Sequence, residues 1–116
     1  MAEVVVNLAS SMTNGVYTSA GVAVEEDYAT LMLKWANLND YPELVVEQSL
    51  DDTTYYPLFQ SKSNYEEPVK YRFNDTSGVY SINIHPVLAT TPYVRVKVYA
   101  NGATVGTITY DLSVGA

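Results

Sequence analysis

A clean alternation of apolar and polar residues runs through Tyr28–Ala36 (YATLMLKWA). Ala29, Leu31, Leu33 and Trp35 fall on one face there, and Tyr28, Thr30, Met32 and Lys34 on the other. The first set is the better core face, because burying the second would bury Lys34. Leu and Met also favour helices, so a helix is the rival reading; the period of two and the flanking turn residues predict a strand. Two further runs, Leu44–Leu50 and Thr54–Phe59, meet at Asp51-Asp52 in the stretch ELVVEQSLDDTTYYPLF. The rest of the chain reads as strands stacked beside or across from this hairpin. Leu44, Val46, Gln48 and Leu50 form its more apolar set and are expected to face inward. An Asp side chain bonds backbone N–H groups two residues on, which predicts a turn at Asp51-Asp52-Thr53. Pro57 cannot donate to a ladder and marks an edge or a bulge.

The other elements follow from shorter signals. Glu3–Leu8 (EVVVNL) predicts an edge strand, Asn14-Gly15 a left-handed turn, and Gly21–Val24 a brief apolar run before the acidic loop Glu25-Glu26-Asp27. No helical stripe emerges in this first third. Asn37–Pro42 breaks the chain again. Gln60–Pro68 (QSKSNYEEP) carries no pattern and reads as a polar loop. Val69–Phe73 predicts a strand with Val69, Tyr71 and Phe73 on one side, followed by a turn at Asn74–Gly78 and a strand at Val79–Ile84.

In Tyr93–Ala100, Val94, Val96 and Val98 alternate with Tyr93, Arg95, Lys97 and Tyr99, and the return run aligns Ile108, Tyr110, Leu112 and Val114. A hairpin with a two-residue Asn101-Gly102 turn would mix these faces. A three-residue loop of Ala100, Asn101 and Gly102 instead pairs Val94 with Ile108 and Val96 with Gly106, and is the expected connection. Eight or nine short strands with regularly spaced turn signals predict an all-β antiparallel β-sandwich, jelly-roll-like. It forms one domain over 1–116, with a short N-terminal strand or arm at about 1–8 that either pairs into the sheet or contacts another chain.

Charge narrows the partners. The formal net charge is −7 with six Lys plus Arg, which argues against nucleic acid and against an anionic membrane surface. No run approaches the ~20 apolar residues of a spanning helix. MAEVVVNLASS lacks the basic region and apolar length of a signal peptide, so a soluble protein not secreted by a cleaved signal is expected. The sequon Asn74-Asp75-Thr76 is then expected to stay unmodified. With no Cys, neither disulfide nor thiol chemistry is available. Eleven Tyr against two Phe and one Trp suit half-buried sheet faces and contact surfaces alike.

The catalytic inventory is thin. The one His, His85, precedes Pro86 at a strand end and has no nucleophile or orienting group suggested beside it. Glu43, Glu47, Asp51 and Asp52 sit near one hairpin, and glycoside hydrolysis needs two carboxylates, but nothing marks either member of a pair as buried. Asp51-Asp52 and Glu25–Asp27 follow no recognisable calcium loop, and no zinc spacing or phosphate-binding glycine motif occurs. A non-enzymatic binding protein without a cofactor is expected.

Three stretches, Leu31–Trp35, VVEQSLDDTTYYPL at Val45–Leu58 and TPYVRVKV at Thr91–Val98, together carry a resemblance. A V-x-x-S-L-D-x-x-x-[WY] hairpin followed by a Y-V-R-V strand resembles small β-sandwich virion proteins of tailed bacteriophages, the capsid decoration or cement proteins. In that pattern Gly often stands where this chain has Asp52, and Trp where it has Tyr55 or Tyr56. The resemblance implies a virion protein assembled in the host cytoplasm, often a homotrimer, bound to the major capsid protein on the outer capsid surface. Val4, Val5, Val6 and Leu8 of the arm, with Asp52, Tyr55, Tyr56 and Tyr65 around the acidic hairpin, are the candidate contacts. The rival is a glycan-binding or host-attachment sandwich in which Tyr55, Tyr56 and Asp52 form the sugar platform. A tail or baseplate adaptor is a third reading.

Overall fold

The computed structural model describes residues 3–23, 29–57, 59–62, 65–68, 70–84 and 93–114. These form twelve strands: β1 (Val4–Asn7), β2 (Val16–Thr18), β3 (Val22–Ala23), β4 (Ala29–Ala36), β5 (Glu43–Ser49), β6 (Tyr56–Pro57), β7 (Phe59–Lys62), β8 (Tyr65–Pro68), β9 (Lys70–Arg72), β10 (Gly78–Ile84), β11 (Tyr93–Tyr99) and β12 (Thr107–Val114). No helix occurs among the described residues. One sheet, sheet A, has the order β1-β12-β4-β10; the other, sheet B, has β2-β11-β5-β6, with β3 also on β11 and β9 also on β5. Among the described residues, strands β7 and β8 pair only with each other.

Two edge strands of sheet B are interrupted rather than separate. Thr18 pairs with Lys97 and Val22 with Val94, so Ser19, Ala20 and Gly21 oppose only Arg95 and Val96. This is a bulge, and Ser19 holds it by accepting the Val96 N–H on its hydroxyl at 2.9 Å. Likewise β6 and β9 run in one direction along β5, pairing Gln48 with Tyr56 and then Val45 with Lys70. Joined in this way, the two sheets hold four strands each. The first then pairs with the last, the second with the seventh, the third with the sixth and the fourth with the fifth, which is the jelly-roll order. The fold is a long antiparallel ribbon rolled over on itself, and its closed end is the acidic hairpin.

The inner faces match the alternation in the sequence. Leu31, Leu33 and Trp35 of β4, Ile108, Tyr110 and Leu112 of β12, and Val6 of β1 meet Leu44 and Val46 of β5 and Val94, Val96 and Val98 of β11. Each large aliphatic side chain buried this way contributes about 1.5–3 kcal/mol. Trp35 and Phe73 meet edge to face at 4.8 Å, and Tyr71 stacks on Tyr80 at 4.5 Å. The hydroxyls of Tyr17 and Tyr110 bond across the sandwich at 3.0 Å. At Thr13–Val16 the chain reverses through Asn14 (φ 54°) and Gly15 (φ 77°), the left-handed turn expected there.

Four expectations change. Gln60–Pro68 is not an unpatterned loop: β7 and β8 pair antiparallel there, between β6 and β9 in the chain. The segments β11 and β12 are not a hairpin either. Val94 pairs with Gln48 and Ile108 with Trp35, so the two strands lie in opposite sheets. Their connection, residues 100–106, begins with the two-residue turn, with Asn101 (φ 50°) and Gly102 (φ 92°) both left-handed and Ala103 N–H bonded to Ala100 C=O at 2.9 Å. The mixing of faces that counted against this turn does not arise, because the chain crosses between sheets after it. Leu50 lies beyond the end of β5 and is 62% exposed instead of inward. Leu38, in the expected break, is buried. The acidic run at 25–27, His85 and Val69 lie outside the described residues.

Candidate functional site

The acidic hairpin folds over the outer face of sheet B. Asp51 Oδ1 accepts the Thr53 and Thr54 N–H groups at 2.9 and 3.0 Å and the Ser49 hydroxyl at 2.9 Å. These bonds, those from Thr54 and Thr53 foremost, hold its carboxyl below the ordinary carboxylate value. Asp52 follows in the left-handed region at φ 59°, a conformation glycine takes most readily. The turn aims the Tyr55 hydroxyl back at Asp52, to whose carboxylate it donates. Burial first, then this bond and the Asp52 charge, push the Tyr55 hydroxyl above the ordinary tyrosine value.

Beneath the Tyr55 ring lies the Arg95 guanidinium, 3.9 Å from the ring centroid, and Arg95 Nε donates to Glu47 Oε1 at 2.7 Å. Gly21 in the bulge lies directly against the Asp52 carboxylate and the Tyr55 hydroxyl, with no room for a Cβ. The loop is therefore a strap across β11, landing on a glycine. Asp52 and Tyr55, expected to meet a partner or a sugar, spend their polar groups on each other. Tyr56 does not. It is 62% exposed beside Leu50 and Pro57, on a cleft of about 460 Å³ that also reaches Gln48, Asp51 and Thr54.

The arm residues separate by strand alternation. Val6, on the inward side of β1, and Leu8, just past its end, are buried in the core, so neither side chain stands on the surface as a contact would. Val4 is half-buried and packs against the same core, while Val5 points outward and is 59% exposed. Tyr65 begins β8, and its side chain lies outside the described residues.

The outward neighbours of Val5 form a surface that the candidate contacts did not include. The register aligns Val5, Thr109, Lys34 and Val79 in one row across the four strands of sheet A, and Asp111, Met32 and Ser81 in the next. Met32 is 56% and Val79 74% exposed, and a cleft of about 470 Å³ runs between Met32, Lys34, Val79, Tyr80 and Asp111. The signal was present in the outward set Met32 and Lys34 and in the uncharged strand that pairs with it. What was missing was the register that brings Val5 and Val79 into the same row.

Among the described residues no group of three or more His, Cys, Asp or Glu could hold a metal ion. The geometry defines a jelly-roll sandwich with one outer face strapped by its own loop and the other, among the described residues, uncovered and partly apolar. No protein-family model, curated protein or solved structure matches this chain.

Proposed function

We propose that the protein is a non-enzymatic virion structural protein that binds the outer surface of a bacteriophage capsid across subunit boundaries and stabilises it. The observation that carries this reading is the outer face of sheet A, where Val5, Met32 and Val79 stand exposed on neighbouring strands. Exposed apolar rows rimmed by polar groups such as Lys34, Thr109 and Asp111 mark protein contact surfaces. A cross-braced sandwich can hold such a face in register against a repeating lattice. The left-handed Asp52, at the position where the resembled pattern carries Gly, adds support. The test is co-sedimentation with expanded capsids that lack the protein, followed by their melting temperature. Binding that raises this temperature, and that Met32→Lys abolishes, is the expected result; a protein that leaves capsids unbound overturns it.

The exposed Tyr56 favours a second reading, a glycan site. Its ring and Pro57 would face a sugar while Asp51 accepts hydroxyls. Signal on a glycan array that Tyr56→Ala removes, without capsid binding, would replace the first reading with this one.

A further inference from the structure

The four sheet edges are not alike. Strand β1 is four residues long and is preceded by the exposed Glu3. The β2–β3 edge is broken by its bulge. The β6–β9 edge carries Pro57 and the exposed Lys70 and Arg72. Short edges, bulges, proline and lysine are the devices by which sheets avoid pairing with other chains. Strand β10 has none of them. It runs seven residues, GVYSINI, without charge, proline or interruption. Val79, Tyr80 and Ser81 are exposed in succession, so both sides of the strand are open there.

We propose that two copies of this protein pair through their β10 edges, antiparallel about a two-fold axis at Ser81, making one eight-stranded sheet from two sheets of four. This goes beyond the capsid reading and does not depend on it. Ser81 is the middle residue of the seven, so the axis gives every residue of β10 a partner: Ser81 opposite Ser81 of the second copy, Val79 opposite its Asn83, Tyr80 opposite its Ile82. The same symmetry suits the charges. Ser81 shares a row with Met32, and Val79 with Lys34, so the two Lys34 side chains fall on different rows and do not meet. A chain of net charge −7 repels itself, and an edge free of carboxylates is the place where two copies can approach. The pairing also joins the two open rows into one surface twice as wide.

The register can be tested because the chain has no cysteine of its own. Residues directly opposite have Cα atoms about 4.5–5.5 Å apart, within disulfide range. Ser81→Cys should therefore crosslink to a dimer under mild oxidation. Val79→Cys, offset from its copy by four residues or about 14 Å, should not. Light scattering at high concentration should give twice 12.8 kDa for the unmodified chain. Ser81→Lys, which sets like charges face to face, should return it to the monomer mass, while Thr18→Lys on the β2 edge should leave the dimer intact. A monomeric or trimeric mass for the unmodified chain, or equal crosslinking at both cysteine positions, overturns the proposal.

Discussion

The two outer faces of the sandwich are built from similar strands and finished differently. On sheet B, Arg95 is bonded to Glu47 and capped by Tyr55, Lys97 lies 5.7 Å from the Tyr99 ring centre, and Glu43 sits opposite Arg72. The hairpin that closes the ribbon is long enough to fold back over that face, and a glycine receives it. On sheet A the corresponding positions are Val5, Thr109, Lys34 and Val79, and among the described residues no loop lies over them. A sheet face can be completed by its own chain or by another molecule. Substitutions on sheet B should therefore change stability, and substitutions on sheet A should change association.

The strap gives the largest expected effect. Gly21→Ala drives a methyl group into the Asp52 carboxylate and the Tyr55 hydroxyl, so the loop must lift. Overpacking of this kind costs about 2 kcal/mol, or roughly 8 °C in Tm for a domain of this size. The ring would also leave Arg95 uncovered. Thermal melts of Gly21→Ala beside Tyr55→Phe, which loses only the hydroxyl, separate the two contributions. A Gly21→Ala protein that melts with the unmodified chain would mean that the loop does not brace sheet B.

Alkaline pH probes the joint between the sheets. Burial first, then the hydrogen bond that its own O–H donates to the Tyr17 hydroxyl, holds the Tyr110 hydroxyl above its ordinary value. The folded state therefore keeps a proton that the unfolded chain releases above about pH 10. Stability from this group is fully present below that pH and is lost as pH rises through the folded value. Tyr110→Phe should cost about 1 kcal/mol at pH 8, from the hydroxyl pair, and flatten the decline between roughly pH 10 and 11. Melts over that range decide it; an unchanged slope would assign the decline to other tyrosines. Since the pair links both sheets, either outer face should report the same transition.

Most of the sandwich is legible in the sequence, because a strand with one buried face writes a period of two. Leu31, Leu33 and Trp35 are assigned to the core face in the sequence, Val94, Val96 and Val98 and then Ile108, Tyr110 and Leu112 are each aligned on one face, and all nine are buried. Pairing is where local reasoning stops. A turn such as Asn101-Gly102 is compatible with a hairpin and with a crossing between sheets, and the choice depends on β4 and β5 being available as partners elsewhere. Strands β7 and β8 carry no apolar alternation, and among the described residues they pair with each other and with neither main sheet. The same non-locality hides the open surface. Val5, Met32 and Val79 come from separate parts of the chain, and each alone is an unremarkable outward residue.

The smallest expected change in stability falls on that surface, and there the comparison is sharpest. Val79 is 74% exposed at the edge of sheet A, so Val79→Lys removes little buried area and should shift stability by no more than about 0.5 kcal/mol. The lysine would stand beside Lys34 in the same row, placing a second positive charge on the open face. Partner binding should weaken sharply while Tm stays within about 2 °C of the unmodified chain. If Tm falls as far as it does for Gly21→Ala, then Val79 is a packing residue and the face is closed by the chain itself. If Tm and association both hold, the apolar row is incidental. Only unchanged folding with lost association fits a face left open for another molecule.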